Sequence, residues 1–472
     1  MGKKLLLVNP GNEDKLNAAS VGLFFTFPPP GLAYLAALTP SDWDIRIIDE
    51  NVEPMTFEDA DLVGLTAMTS NAHRAYQISG QYRQRGIKTV MGGIHASFLP
   101  DEAIRFVDSV VLGEAESVWK GLLRDFENNR LQSFYRGERV SLENLPRPRN
   151  DLYSHRYRIP ASVQTSRGCP MDCEFCSVTA FNGRTYRQRP VGEVLDEIEG
   201  LERRELFFSD DNILSYGKKA EERAIQLFRG MVDRGLNKHW VSQVGIDFGN
   251  NPEVLRWAKK SGCLGVFIGF ESSSEESLQH MQKARNLRFG VSRFKETVKR
   301  IHSYGIGVHG AFICGSDGDK KDVFQRTTQF ILDAQIDSAT ITILTPLPGT
   351  RLYDKMKSEG RLLRTNYPQD WNCYDTTQAV FMPKHMTPDE LEEGVYQIYQ
   401  DLTSRATSLR RAWNSFIQTK NPAVAVIAYS LNRGLNSFVA RKYEWVMKER
   451  SSGVEHRQVL HPAEDIEKCL VK

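Results

Sequence analysis

The stretch Arg167-Gly168-Cys169-Pro170-Met171-Asp172-Cys173-Glu174-Phe175-Cys176 places three of the chain's seven cysteines within eight residues. Thiolates so close together repel one another unless a metal neutralises them. The C-x3-C-x2-C spacing curls a short loop around a compact centre, and three thiolates ligate three irons of a [4Fe–4S] cubane while the fourth stays open. Two plainer readings compete. A structural zinc site needs a fourth ligand and usually shows paired C-x2-C knuckles, and a coincidence of buried cysteines would require their placement to be accidental as well.

That placement is at the end of a strand. From Ala161 onward, short apolar runs alternate with helical periodicity. Ser162–Thr165, Glu205–Phe208, Trp240–Val244, Gly265–Phe270, Val308–Ile313 and Ala339–Leu344 read as strands. Val191–Leu201, Lys218–Arg234, Pro252–Ser261, Phe289–Tyr304 and Asp322–Ala334 read as helices. Six β/α steps are too few for a closed eight-fold barrel and suit a partial TIM-type (β/α)6 barrel over 161–345, whose chemistry sits at the C-terminal strand ends. Gly305-Ile-Gly307-Val-His-Gly310 matches G-x-G-x-x-G, but it closes a helix and enters a strand. A dinucleotide fingerprint does the reverse, so Gly305 reads as a helix C-cap.

With its C-x3-C-x2-C loop on a partial barrel, the segment from Ala161 to about Thr345 resembles the radical S-adenosylmethionine (SAM) enzymes. The resemblance extends beyond Cys169, Cys173 and Cys176. Phe175 is aromatic where that family packs a ring near the SAM adenine. Ser209-Asp210-Asp211-Asn212 follows the second strand, where the family holds the SAM amino group. Gln243 on the third strand and Glu271 at the end of the fourth match positions that meet the SAM carboxylate and ribose. A carboxylate at a strand end is often only a helix cap, and these residues gain weight by converging on one mouth.

The first 130 residues alternate in the same way, with strands read at Lys4–Val8, Ile45–Ile48, Leu62–Ala67, Lys88–Met91 and Ser109–Leu112. Helices are read at Gly31–Leu38, His73–Arg85, Asp101–Phe106 and Val118–Phe126. Short apolar strands between helices indicate a Rossmann-like parallel sheet over 1–140, with ligands held at its carboxyl edge. The loops there are small and hydroxyl-bearing: Thr66 and Thr69, Gly92-Gly93 with His95, and Gly113-Glu114. Ahead of the radical SAM barrel, this pattern resembles the cobalamin domain of the B12-binding radical SAM proteins, which makes those residues expected cofactor contacts. The D-x-H-x-x-G motif of many B12 enzymes is missing, so no histidine of this domain is expected to ligate cobalt in that manner. His95 is then a loop residue touching the nucleotide tail, or an ordinary turn histidine. Residues 141–160, with Asn144-Leu-Pro-Arg-Pro-Arg-Asn150, read as a linker or strap.

The 472 residues, 40% hydrophobic and 25% charged, exclude a largely disordered chain and suit about three domains. Sixty-one basic and 59 acidic residues leave a net charge of +2, too balanced for a whole-protein nucleic-acid clamp. An odd, modest cysteine count argues against a disulfide scaffold and for a cytoplasmic setting. Cys263, Cys314, Cys373 and Cys469 read as core or incidental thiols. Residues 346–472 look mainly helical, with a helix start at Thr387-Pro388-Asp389-Glu390, and they resemble the extension seen in the B12-binding group. Between Leu402 and Arg450 nine Lys/Arg meet two Glu, a local +7. Trp413, Phe416, Tyr429, Phe438, Tyr443 and Trp445 lie among them. Such a stretch either packs on the barrel with a solvated basic face, the preferred reading, or lies peripherally on anionic lipid.

The resemblance implies a reaction. SAM chelates the open iron, reductive cleavage gives a 5′-deoxyadenosyl radical, and methylcobalamin delivers a methyl group to an unactivated carbon of a small-molecule or lipid substrate. An electron donor such as flavodoxin or ferredoxin is implied, and no nucleic-acid partner. The alternatives are a cyclisation, hydroxylation or ring rearrangement without methyl transfer, an iron–sulfur binding or redox-sensing module, and an RNA-modifying relative.

Overall fold

The computed structural model describes residues 2–11 and 26–435. The first domain is a wholly parallel sheet of β1 (Lys4–Asn9), β2 (Asp44–Asp49), β3 (Leu62–Thr66), β4 (Lys88–Gly92), β5 (Ser109–Leu112) and β6 (Phe134–Arg136), in the order 2-1-3-4-5-6. Its helices are α1 (Pro30–Leu38), α2 (Ala72–Gln84), α3 (Ile94–Phe98), α4 (Pro100–Ala103) and α5 (Trp119–Glu127). The period-2 alternation of a strand explains the unbroken run Leu5–Val8. Leu5 and Leu7 face Leu32 and Trp119 on one side, while Leu6 and Val8 face Ala75 and Ile78 on the other. Strand order reverses between β1 and β3, and that reversal opens a crevice at the carboxyl edge. The helix expected over Asp101–Phe106 is the short α4, a further short helix α3 precedes it, and the edge strand β6 is too short to show a pattern.

The second domain contains β7 (Ala161–Val163), β8 (Ser166–Arg167), α6 (Ser177–Asn182), β9 (Arg187–Gln188), α7 (Val191–Glu199), β10 (Glu205–Phe208) and α8 (Lys218–Asp233). It continues with β11 (His239–Val244), α9 (Pro252–Lys260), β12 (Cys263–Glu271), α10 (Glu275–His280), α11 (Ala284–Phe289), α12 (Phe294–Ser303), β13 (Gly307–Cys314), α13 (Val323–Asp333) and β14 (Ser338–Ile343). Six strands pair in parallel as 14-13-12-11-10-7, so the barrel is open between β14 and β7. The antiparallel ribbon β8–β9 brackets the cysteine loop. Phe289–Tyr304 is not one helix, because Gly290, at φ +90°, closes α11 by donating its N–H to Asn286 O. Gly305, at φ +75° after α12, is the expected C-cap.

Residues 26–30 cross to the barrel's open side, where Phe27 stacks on Phe207 at 4.1 Å and Ser162 Oγ donates to Pro28 O. The 141–160 stretch is a strap, whose Tyr153 and Tyr157 are buried in the first domain, with Tyr157 Oη donating to Asp49 Oδ2 at 2.6 Å. After α14 (Arg351–Ser358), residues 359–386 run irregularly back across the first domain, burying Trp371 and Tyr374 there. The chain then turns helical in α15 (Pro388–Thr403), α16 (Arg405–Thr419) and 422–435. A reciprocal Thr387–Glu390 capping box starts α15. Phe438, Tyr443, Trp445 and Cys469 lie outside the described residues. No helix of the described residues is long and apolar enough to cross a membrane.

Inside the barrel, His309 of β13 shares its ring nitrogens with Ser338 Oγ at 2.8 Å and Thr340 Oγ1 at 2.9 Å. Burial depresses it from 6.5 to about 3. A histidine kept neutral in the fold but protonated when unfolded stabilises the protein fully above 6.5. That stability is lost as pH falls to about 3, at about 1.4 kcal/mol per pH unit. Urea midpoints of the wild type should therefore fall more steeply across this window than those of His309→Gln, and parallel falls would refute the assignment.

Candidate functional site

The ribbon β8–β9 holds Cys169, Cys173 and Cys176 on one half-buried loop at the carboxyl end of β7. Burial raises the Cys169 thiol and pushes Cys173 up to about 11. Lys283 and Arg285 act in the opposite sense on Cys169. Three thiols on one loop beside a buried ammonium form a donor set that fits an iron–sulfur cubane, since iron displaces thiol protons and the cation offsets part of the thiolate charge. Lys283 Nζ donates to Glu271 Oε1 at 2.6 Å and lies 5.9 Å from the Phe175 ring centroid. Burial works to discharge Lys283, but Glu271, Cys173 and Cys176 outweigh it and hold the ammonium above the usual lysine range.

The strand-end residues divide in two. Glu271 and Gln243 reach the mouth, where Glu271 sits at φ +62° on a register shift between β12 and β13 and Gln243 is exposed on β11. A non-glycine residue in the left-handed region is costly and is found where a site needs it. Ser209 Oγ is buried without a hydrogen-bond partner among the described residues, which leaves it available to a ligand. Asp210 instead points into the barrel wall, accepting from Thr165 N at 3.2 Å, Thr165 Oγ1 at 2.9 Å and Ser166 Oγ. Burial lifts its carboxyl to about 6 against those hydrogen bonds. Asp211 accepts the Gly168 N–H at 3.0 Å and so fixes the residue before the first cysteine.

Between the two domains lies an open cavity of about 290 Å³. On the first-domain side Thr66, Gly92, Gly93, Gly113 and Glu114 line it, and on the barrel side Gln164, Arg167, Phe181, Asn182 and Asp211. Gly93, at φ +95°, is obligatory, because a Cβ there would stand 2.8 Å from Ala67 O. At Gly92 an added Cβ would meet nothing nearer than 3.8 Å, so bare backbone faces the cavity. An apolar and glycine floor at a topological switch point is a lining that would suit a corrinoid at the sheet's carboxyl edge. Thr69 and His95 lie behind this wall. His95 is fully buried, with Nε2 at 3.1 Å from Tyr76 Oη and 3.3 Å from Glu102 Oε1, and its ring meets Trp371 edge-on. It is neither a solvent-facing turn residue nor on the cavity surface, and its role there is to join α2, α4 and the 359–386 strap.

Glu114 lines the cavity, yet its carboxylate is engaged by Arg187, with Nη1 at 3.0 Å, and by Arg167, with Nη1 at 3.4 Å. Arg167 also pairs with Glu116 at 2.6 Å. Burial would raise the Glu114 carboxyl, but Arg187, the Val140 N–H and Arg167 prevail and hold it below the ordinary range. One glutamate of the first domain thus grips both strands that bracket the cysteine loop. Lys283, Arg167 and Arg187 are the site residues that sequence reasoning missed. None sits in a recognisable spacing, and the one available signal was the position of Arg167 and Arg187 on either side of the cysteine loop. Cys263 and Cys314 are fully buried core thiols.

Two stretches of the chain match known families. Residues 17–123 match the B12 binding domain and residues 163–331 match the radical SAM superfamily. The chain is 30% identical to the bacteriochlorophyllide d C-12(1)-methyltransferase of Chlorobaculum tepidum, covering 87% of this chain and 89% of that protein. It is 28% identical to the hopanoid C-2 methylase of Rhodopseudomonas palustris, covering 71% and 65%. Among solved structures, the radical SAM methyltransferase TsrM from Kitasatospora setae, with cobalamin and a [4Fe–4S] cluster bound, superimposes with a TM-score of 0.67. The sequence identity there is 15%, and the match covers 95% of this chain and all of that one.

Proposed function

Because this chain belongs to the cobalamin-dependent radical SAM methyltransferase family, we propose that it C-methylates an unactivated carbon of an apolar, ring-bearing small molecule or lipid. The observation that carries this reading is the shared cavity, with the glycine turns of the first sheet on one wall and the residues flanking the cysteine loop on the other. When bound, the cluster and SAM supply hydrogen abstraction and cobalamin supplies the methyl group.

The chain's own residues hold, orient and exclude. Cys169, Cys173 and Cys176 hold the cluster, with Lys283 balancing its charge. Phe175, Ser209, Gln243 and Glu271 receive SAM. Asp210 and Asp211 act one step removed, by fixing Thr165, Ser166 and Gly168 so that the cysteine loop keeps its shape. Thr66, Gly92, Gly93 and Gly113 let the corrinoid lie against backbone, and Thr69 and His95 support that floor from behind. Glu114 ties the first domain to both strands that flank the cysteine loop. Phe27, Phe207 and Phe267 form an aromatic wall in the open barrel, suited to excluding water and packing a flat apolar substrate. A flavodoxin- or ferredoxin-type protein delivers the electron.

The test is anaerobic reconstitution with iron, sulfide and cobalamin, followed by turnover of apolar ring compounds with methyl-deuterated SAM. A product that gains one labelled methyl supports the reading. A product of any other mass change, such as ring closure or hydroxylation, overturns it.

A further inference from the structure

Helix α16 is built inside out. Its buried residues are Ser408, Arg411, Ser415 and Thr419, while Leu409, Trp413 and Ile417, at i, i+4 and i+8, point outward. The polar face is anchored by Arg411, which donates to Leu402 O at 3.1 Å, Asn432 Oδ1 at 2.8 Å and Ile336 O at 2.9 Å. Ser408, Ser415 and Thr419 bond back to carbonyls of their own neighbourhood. An ordinary surface helix does the reverse, because an apolar stripe left in water forfeits its transfer free energy.

The next helical stretch, 422–435, adds Val426 and Tyr429 to the outer surface while Val424, Ala428 and Leu431 turn inward. Of nine large apolar side chains exposed among the described residues, five fall within residues 405–435, with Trp413 at 63% and Val426 at 66% the most exposed of them. Such a concentration marks an interaction surface rather than scatter. Its charge says which kind. Residues 405–435 contain Arg405, Arg410, Arg411, Lys420 and Arg433 and no Asp or Glu. Arg405, Arg410 and Lys420 lie exposed beside the apolar stripe.

We propose that this face docks on the surface of an anionic lipid bilayer. Leu, Ile and Trp side chains sink into the headgroup boundary while Arg and Lys meet the phosphates. A second copy of the chain is a poorer occupant, since an isologous contact would bring two basic faces together. The contact is peripheral, and it does not depend on the chemistry at the barrel mouth.

The test is flotation of the full-length holoprotein with phosphatidylcholine vesicles, with and without phosphatidylglycerol. Binding should require the anionic lipid and weaken with salt. The triple variant Leu409→Ser, Trp413→Ser, Ile417→Ser should lower partitioning roughly tenfold or more. Arg410→Glu with Lys420→Glu should abolish the preference for anionic vesicles. All these positions are exposed, so unchanged circular dichroism and SAM cleavage are expected to confirm folding. A wild type that ignores anionic vesicles overturns the proposal, and so does a triple variant that floats as well as the wild type. A wild-type dimer that the triple variant turns into a monomer, without vesicle binding, overturns it in favour of a second copy.

Discussion

Cys173→Ala, reconstituted anaerobically beside the wild type, should lose both the iron–sulfur absorbance and the cleavage of SAM to below detection. The argument rests on arithmetic at the metal. Three thiolates per cubane already leave one iron without a protein ligand, and removing another leaves two. The carboxylates around it are already engaged: Glu271 by Lys283 at 2.6 Å, Asp172 by Arg351 at 2.7 Å and Glu174 by Lys355 at 3.7 Å. Lys283 would then keep Glu271 but lose the neighbouring Cys173. Cys314→Ala is the matched control. Cys314 is fully buried at the end of β13 and closes the same barrel mouth, so it reports on packing alone. Equal loss in both variants, or an unchanged spectrum in Cys173→Ala, would sink the assignment of the cluster to this loop.

The second large effect is expected far from any thiol. Glu114→Ala should lower stability by about 3 kcal/mol, because breaking a buried ion pair strands the partner charge. Here two partners are stranded: Arg167 and Arg187 keep guanidinium groups in the domain interface with one carboxylate fewer. Arg167 retains Glu116, whereas Arg187 retains the Val140 carbonyl. Adding Arg187→Met to Glu114→Ala should recover part of the loss, since an apolar side chain tolerates the emptied interface better than a lone cation. The measurement is the urea midpoint of tertiary fluorescence, together with proteolysis across the 141–160 strap. An unchanged midpoint in Glu114→Ala would show that the domains are held elsewhere. The sign with pH is fixed too: a carboxyl held below its ordinary range adds stability at neutral pH, and that stability disappears as acid protonates it.

How much of this could be read from the chain depends on the range of the interaction. Strands such as those through Leu5–Val8 and Leu206–Phe208 are visible because burial on both faces writes itself into a continuous apolar run. The cysteine loop is visible because metal geometry compresses its ligands into eight residues. Asp210, Asp211 and Glu271 are visible as polar residues at strand ends, but their division into wall-facing and mouth-facing members is not. That division depends on Thr165, Ser166 and Lys283, which belong to other elements. His95 stands out in sequence for its place after two glycines, yet its environment is made by Tyr76, Glu102 and Trp371, the last 276 positions away. Helix α16 shows an apolar stripe that pattern reading assigns to the core, and only the packing of Arg411 reveals that the stripe faces outward.

The seating of Phe27 against Phe207 sets an order of assembly. Ser162 meets the carbonyl of Pro28 across 134 positions of chain, and contacts of such separation form late because loop closure must precede their reward. During synthesis the strands of the first sheet emerge long before β7, so the barrel's open side is laid down against a wall that already stands. A circular permutant that begins at the strap and ends with residue 140 would make the barrel first, with Phe207 not yet covered by Phe27. It should refold to the same end state but through a longer-lived, more aggregation-prone intermediate, so the benefit of the natural gene order is kinetic.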